Sequence, residues 1–174
     1  MNIVIRPPAP NDQDEFLARV QDSRGLHGNW VLPPDTSDLF ASYVQRTTED
    51  NQRCFFVCNG STGEIAGVIN ANEIVRGCFL SAYLGFYAFA PHDGTGAMTL
   101  GLAAVIDQLF GHEGLHRLEA NIQPANGRSL ALVQRLGFHR EGFSPRYLKI
   151  AGRWRDHERW ALLADDWRGL PPRS

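Results

Sequence analysis

An α/β (α+β) domain with a mixed, mostly antiparallel sheet is the fold class that the sequence predicts. Apolar runs of strand length alternate with segments whose apolar residues recur at helical spacing, in the order β-α-α-β-β-β-α-β-α-β-β. The short turn Asn59-Gly60-Ser61-Thr62-Gly63 joins two of those runs and makes them an antiparallel hairpin. No repeat, low-complexity segment or linker interrupts the 174 residues, a length that suits one domain, 1–174, with a full core.

Along the chain, Asn2-Ile3-Val4-Ile5-Arg6 alternates and is stopped by prolines, as a first strand at a sheet edge would be. Asn11 is placed to cap a helix that carries Phe16, Leu17 and Val20 inward. The segment from Ser23 to Pro34 is expected to be a loop, with Trp30 either plugging the core or walling a substrate cleft. Thr36 or Ser37 caps a second helix with Leu39, Phe40, Tyr43 and Val44 on one stripe. Cys54–Cys58 and Ile65–Ile69 form the hairpin, the latter running on to Ile74, and Phe79–Phe89 is a long aromatic strand. Leu102, Val105, Ile106, Leu109 and Phe110 mark a central helix that ends near Gly111 or Gly114. Arg117–Ile122 is a strand with two polar residues on one face. Arg128–Leu136 is a helix closed by Gly137, with Phe138 folding back. Phe143–Ile150 and Trp154–Leu163 are two last strands joined at Ala151-Gly152.

Composition narrows the partners. The chain is 43% apolar and 21% charged with a formal charge of −2 and no basic run longer than two residues, so neither a nucleic-acid tail nor a polybasic membrane anchor is indicated. Pro7, Pro8, Pro10 and several acids occupy the place of a signal-peptide core, and a cytoplasmic location is expected. Three cysteines are read as reduced. Cys54 and Cys58 share a strand face, but nothing completes a ligand set around them, so they are expected to pack as small hydrophobes and no metal is expected.

Chemistry concentrates between Ala90 and Thr99, where a strand meets a glycine turn and a helix start. The first turn of a helix carries unpartnered N–H groups and the positive end of the dipole, and Gly94 and Gly96 remove the side chains that would block an anion there. A P-loop would need a lysine after Gly96, and a dinucleotide fingerprint would need a third glycine or alanine where Thr99 stands.

The glycine turn is followed by Asn126-x-x-Ser129 and Leu136-Gly137-Phe138. Through these residues the chain from Glu64 to Trp167 resembles the GNAT acetyltransferases. Within that superfamily it is most similar to the Rim-type ribosomal-protein alanine N-acetyltransferases, through Val75-Arg76-Gly77, Tyr83-Leu84-Gly85, His116-Arg117, Tyr147-Leu148-x-Ile150-x-Gly152-x-Trp154-Arg155-Asp156-His157 and Asp166-Trp167. The resemblance implies a seven-stranded splayed sheet with four helices on both faces and acetyl-CoA in its cleft. The implied cofactor contacts are Gly94, Thr95, Gly96, Ala97, Met98 and Thr99 around the pyrophosphate, Asn126 and Ser129, and a backbone N–H at Phe89 or Ala90 on the thioester carbonyl. Asp93 stands where the family prefers Gln or Arg and adds a negative charge beside the pyrophosphate.

The implied reaction is attack of a neutral amine on the thioester, which needs a deprotonated amine, oxyanion donors and a proton for the thiolate. The positions of the family's acid/base pair hold Asn121 and Val133. Ser129 is then the candidate hydroxyl near the sulfur, with capping of the helix start as its structural alternative, and Glu73 is the candidate base through a water. Trp30, Tyr87, Asn121 and Tyr147 are candidates to line the acceptor pocket. Asp156-His157 does not make a dyad, because neighbours on a strand point to opposite faces.

Lack of a strong base narrows the acceptor. An α-amino group with a pKa of about 7.7–8.0 is roughly a tenth neutral at pH 7, whereas a lysine at about 10.4 is neutral only to a few parts in ten thousand, a gap of roughly 3.5 kcal/mol. The favoured acceptor is a protein N-terminus. A small-molecule amine and a degenerate acyl-CoA-binding protein are the alternatives. Oligomeric state, monomer or homodimer, is left open.

Overall fold

The computed structural model describes residues 2–170. A seven-stranded sheet of order β1-β2-β3-β4-β5-β7-β6 runs through it. Its strands are β1 (Ile3–Arg6), β2 (Arg53–Asn59), β3 (Ile65–Val75), β4 (Ser81–Ala88), β5 (Arg117–Ile122), β6 (His139–Ile150) and β7 (Arg153–Leu163). The helices are α1 (Gln13–Asp22), α2 (Arg24–His27), α3 (Ser37–Arg46), α4 (Ala97–Gly111) and α5 (Gly127–Arg135). Every neighbouring pair of strands is antiparallel except β4 and β5.

The sheet separates two cores. On one face α4 and α5 lie over Val57, Ile69, Leu84, Leu118 and Ala120. On the other, α1 and α3 close over Phe56, Val68 and Phe89, where the Phe16 ring meets Phe40, Tyr43, Phe56 and Phe89 at centroid distances of 4.9–6.0 Å. Burial on both faces explains why Cys54–Cys58 reads as an unbroken apolar run. Cys54 and Cys58 are buried in the α1/α3 core. Close approach fixes α4: a Cβ at Gly101 would lie 2.5 Å from a Val57 methyl, so only glycine admits the helix at this depth.

Several elements differ from expectation. Among the described residues there are five α-helices, not four, because Arg24–His27 makes one helical turn inside the expected loop. Asn11 caps nothing: it lies inside a 3-10 turn, Pro10–Asp12, and Asp12 accepts from Ala9 N–H (2.8 Å) and pairs with Arg6 at 2.7 and 2.8 Å. β4 begins at Ser81, leaving Phe79 exposed ahead of it. Thr36 caps α3, accepting from Leu39 N–H at 3.3 Å. At the end of α5, Gly137 adopts φ 84° while Phe138 N–H reaches back to the Val133 carbonyl at 3.0 Å, the expected glycine stop.

Candidate active site

The site arises where two strands part. β4 and β5 pair in parallel from Ser81↔Arg117 to Leu84↔Ala120 and no further, although β4 continues to Ala88 and β5 to Ile122. β4 stays with β3 through Gly67↔Ala88, and β5 stays with β7 through Ile122↔Glu158. A cavity of about 870 Å³ occupies the divergence, running from the N-termini of α4 and α5 past Tyr83, Gly85 and Tyr87 to the segment around Trp30.

The glycine turn forms one end of the cavity. Gly94 and Gly96 have φ values of 73° and 88°, left-handed conformations that glycine adopts without steric cost, and a Cβ on either would project into open space. Among the described residues, the N–H groups of Gly94, Gly96, Met98 and Thr99 have no acceptor in the protein, and those of Thr95 and Ala97 have only contacts of 3.4 Å. Such a nest at the start of a 15-residue helix suits a diphosphate. Asp93 does not stand there as an uncompensated charge. Arg128, at the start of α5, donates to it at 3.1 Å and lines the cavity, as does Arg135, which donates to Thr99 Oγ1 at 3.3 Å. The residues present therefore fit an acyl-CoA, with cations supplied by α5 in place of the loop.

Asn126 caps α5, its Oδ1 accepting from Ser129 N–H at 3.2 Å. Capping is thus done by Asn126, and Ser129 lines the cavity with its hydroxyl unpartnered among the described residues. Phe89 and Ala90 have no N–H to offer: the first donates to the Ala66 carbonyl at 2.8 Å and the second to Ser23 Oγ at 2.9 Å, with Phe89 itself fully buried. Because residues of an antiparallel ladder alternate, the Phe89–Ala66 bond sends the N–H groups of Phe86 and Ala88 the opposite way, into the gap left by β5. These were missed in the sequence because a register was needed to find them.

The acceptor side mixes expected and unexpected residues. Trp30, Tyr87 and Asn121 line the cavity, and the Oδ1 of Asn121 is buried without a partner. The Trp30 segment is held down twice, by Gln123 Nε2 donating to the Asn29 carbonyl at 3.2 Å and by His27 Nε2–H donating to the Ala88 carbonyl at 2.9 Å. Burial holds His27 below the usual histidine range, so it is neutral at pH 7. Tyr147 does not line the cavity but packs edge-on against His157 at 6.1 Å. Glu73 is not brought to the site at all. It is exposed, at φ 50°, in the irregularity of β3 between Asn72 and Val75, so the base assigned to it has no support. Val133 is fully buried in the α4/α5 core.

His157, which the sequence sets aside only as half of a dyad with Asp156, is brought to the site. Its ring lies at the cavity wall one position beyond the β5–β7 ladder, with Nδ1–H donating to the Arg155 carbonyl at 2.9 Å. Asp156 turns away and accepts from Arg146 N–H at 2.7 Å, so the two are not a dyad, but His157 alone faces the site. Its signal was the alternation of β7: with Trp160 and Leu162 in the α4/α5 core, His157 falls on the other face.

Comparison with known proteins agrees with this geometry. The family model for the acetyltransferase (GNAT) domain matches residues 2–139. A probable N-acetyltransferase, YjcK of Bacillus subtilis, is 33% identical over 172 residues, 94% of this chain and 95% of that protein. The ribosomal protein uS5-alanine N-acetyltransferase of Escherichia coli is 43% identical over 104 residues, 60% of this chain and 54% of that one. Among solved structures, Mycobacterium smegmatis RimJ in complex with CoA-disulfide superposes with a TM-score of 0.86 at 25% identity, covering 99% of this chain and 85% of that chain. Spermidine N-acetyltransferase from Vibrio cholerae, in complex with CoA and spermine, has the same fold, with a TM-score of 0.80 at 20% identity over 94% and 96% of the two chains. With a parted β4/β5 pair, an anion nest at the start of α4 and a family match across most of its length, the chain belongs to the GNAT family and is an acetyl-CoA-dependent N-acetyltransferase.

Proposed function

We propose that this acetyltransferase acts in the cytoplasm on the α-amino group of a protein N-terminus, of the ribosomal-protein-alanine kind. One observation carries the reading: among the described residues lining the cavity, Asp93 is the sole carboxylate, and it is paired with Arg128. A polyamine brings several positive charges and gains affinity from carboxylates in the pocket, and a lysine needs a strong base. An N-terminal amine needs neither, and Trp30, Tyr87 and Asn121 offer it apolar walls with one buried acceptor. The identity with the uS5-alanine enzyme supports the same assignment.

In this reading acetyl-CoA places its pyrophosphate on the N–H groups of Gly94–Thr99, with Arg128 and Arg135 beside it. The N–H groups of Phe86 and Ala88 are about 6.8 Å apart along the strand, so one of the two, not both, donates to the developing oxyanion, and the Ser129 hydroxyl hydrogen-bonds the departing sulfur. Because Asp93 competes for Arg128, Asp93→Asn should tighten acetyl-CoA binding about 1.4-fold to fivefold, the equivalent of about 0.2–1 kcal/mol for an exposed ion pair. Calorimetry at low and high salt checks this, and weaker binding by the variant would assign Asp93 a supporting role instead. For the acceptor, release of free CoA is measured with Ala- and Ser-initiated peptides and with spermidine and aminoglycoside amines. The peptides should turn over at least tenfold faster in kcat/KM. Preferential turnover of the polyamine would overturn the proposal.

A further inference from the structure

We infer that His157 is the catalytic residue that takes the proton from the acceptor ammonium. The inference rests on the amine-acetylation reading above and names the base that reading lacks. Three observations carry it. His157 is only 2% exposed, yet its ring forms part of the cavity wall. A carbonyl can only accept, so the 2.9 Å contact with Arg155 fixes the proton on Nδ1 and leaves the Nε2 lone pair bare. Among the described residues, nothing in the protein hydrogen-bonds that Nε2. The edge-on Tyr147 ring holds the imidazole in plane from β6.

Groups facing the ring bear on its charge. Tyr147 and Lys149 come from β6, Tyr83 from β4, Asn121 from β5 and Gln123 from just beyond it, with His27 also lining the cavity and Arg155 and Asp156 on its own strand. Desolvation dominates, outweighing the Arg155 carbonyl and Asp156, and holds His157 below the usual histidine range. The imidazole is therefore neutral at pH 7 and ready to accept. Transfer from an α-ammonium, at about 7.7–8.0, is mildly uphill, whereas transfer from a lysine at about 10.4 is steeply so. The base and the favoured acceptor match.

The proton balance is complete. One proton moves from R–NH3⁺ to Nε2, and the freed amine nitrogen forms the C–N bond to the acetyl carbon. As the tetrahedral centre collapses, the C–S bond breaks, and the second nitrogen proton passes to the thiolate, directly or through the Ser129 hydroxyl. The imidazolium then returns its proton to water.

The test is the pH dependence of kcat/KM for an Ala-initiated peptide, in wild type and in His157→Gln, together with an NMR titration of the His157 ring in the wild-type protein. Because the ring takes its proton from the bound ammonium, wild-type kcat/KM should be level between the amine pKa and the ring's own pKa, under about 6.5, and fall with unit slope below the latter. His157→Gln should lose about 100-fold or more in kcat/KM near neutral pH, fall with unit slope from the amine pKa downward with no break at the ring pKa, and bind acetyl-CoA within twofold of wild type by calorimetry. A variant that retains the wild-type plateau and its lower break, or that loses acetyl-CoA affinity in proportion to activity, overturns the inference. If the variant does not fold, the NMR titration decides alone: a ring pKa that does not coincide with the acidic break in the wild-type profile overturns it. Absence of turnover by wild type on every amine would instead strike the acetyltransfer reading.

Discussion

Gly94→Glu should abolish acetyl-CoA binding, with affinity falling about 1000-fold or more. The position has φ 73°, and its Cβ would project into open space at the cavity mouth, so the new side chain enters the nest and does not disturb the core. A carboxylate about 4 Å from a phosphate charge costs about 4 kcal/mol at an effective dielectric constant of 20, which is three decades at 1.36 kcal/mol each. Placing a residue with a Cβ in the left-handed region adds about 1–2 kcal/mol of destabilisation, less than a domain of this size holds. Thermal melting should therefore still show a folded protein, a few degrees less stable, while calorimetry shows no acetyl-CoA binding. Unchanged affinity would mean that the pyrophosphate lies elsewhere. Gly94→Ala separates the two terms, since it carries the backbone cost without the charge.

Phe16→Ala should be among the most destabilising single changes, at about 3–5 kcal/mol. Phe16 is fully buried and its ring touches four others, from α3, β2 and the residue that follows β4. Truncation leaves a cavity that those rings, fixed by the sheet beneath them, cannot close. With about 2–4 °C lost per kcal/mol at this chain length, the melting temperature should drop by roughly 6–20 °C. Phe16→Leu, which keeps most of the volume, should cost under about 1.5 kcal/mol. The effect extends to the site because Phe89, edge-on to Phe16 at 5.5 Å, also contacts His27, which is bonded to the Ala88 carbonyl. A melting temperature within 2 °C of wild type in Phe16→Ala would contradict this packing.

Local signals carried much of this architecture. Glycine turns, the Thr36 cap and the Gly137 stop act within a few residues, so they could be read in order along the chain, and the strand and helix sequence followed from them. The glycine nest at the start of α4 is legible for the same reason: its glycines and helix start are contiguous. What needed pairing or distance was not legible. Phe89 and Ala90 were natural choices for the thioester contact by position, but hydrogen bonds to Ala66 and Ser23 use their N–H groups. Glu73, the candidate base by sequence, sits exposed in the irregularity of β3, outside the cavity. Asp93 looked like a defect in the loop because its partner, Arg128, lies 35 residues away. His157 was set aside with Asp156, although the alternation that separates the two is what turns His157 alone toward the cavity.

A cleft with no strong base delivers the acetyl group to an amine that is already partly neutral, which is an N-terminus and not a lysine side chain. One peptide that begins with alanine and contains two internal lysines, incubated with acetyl-CoA and the protein, distinguishes the two once the acetylated position is located by mass spectrometry. A single acetyl group on the alanine nitrogen is expected. Acetylation of a lysine side chain in preference to the N-terminus would refute the N-terminal assignment.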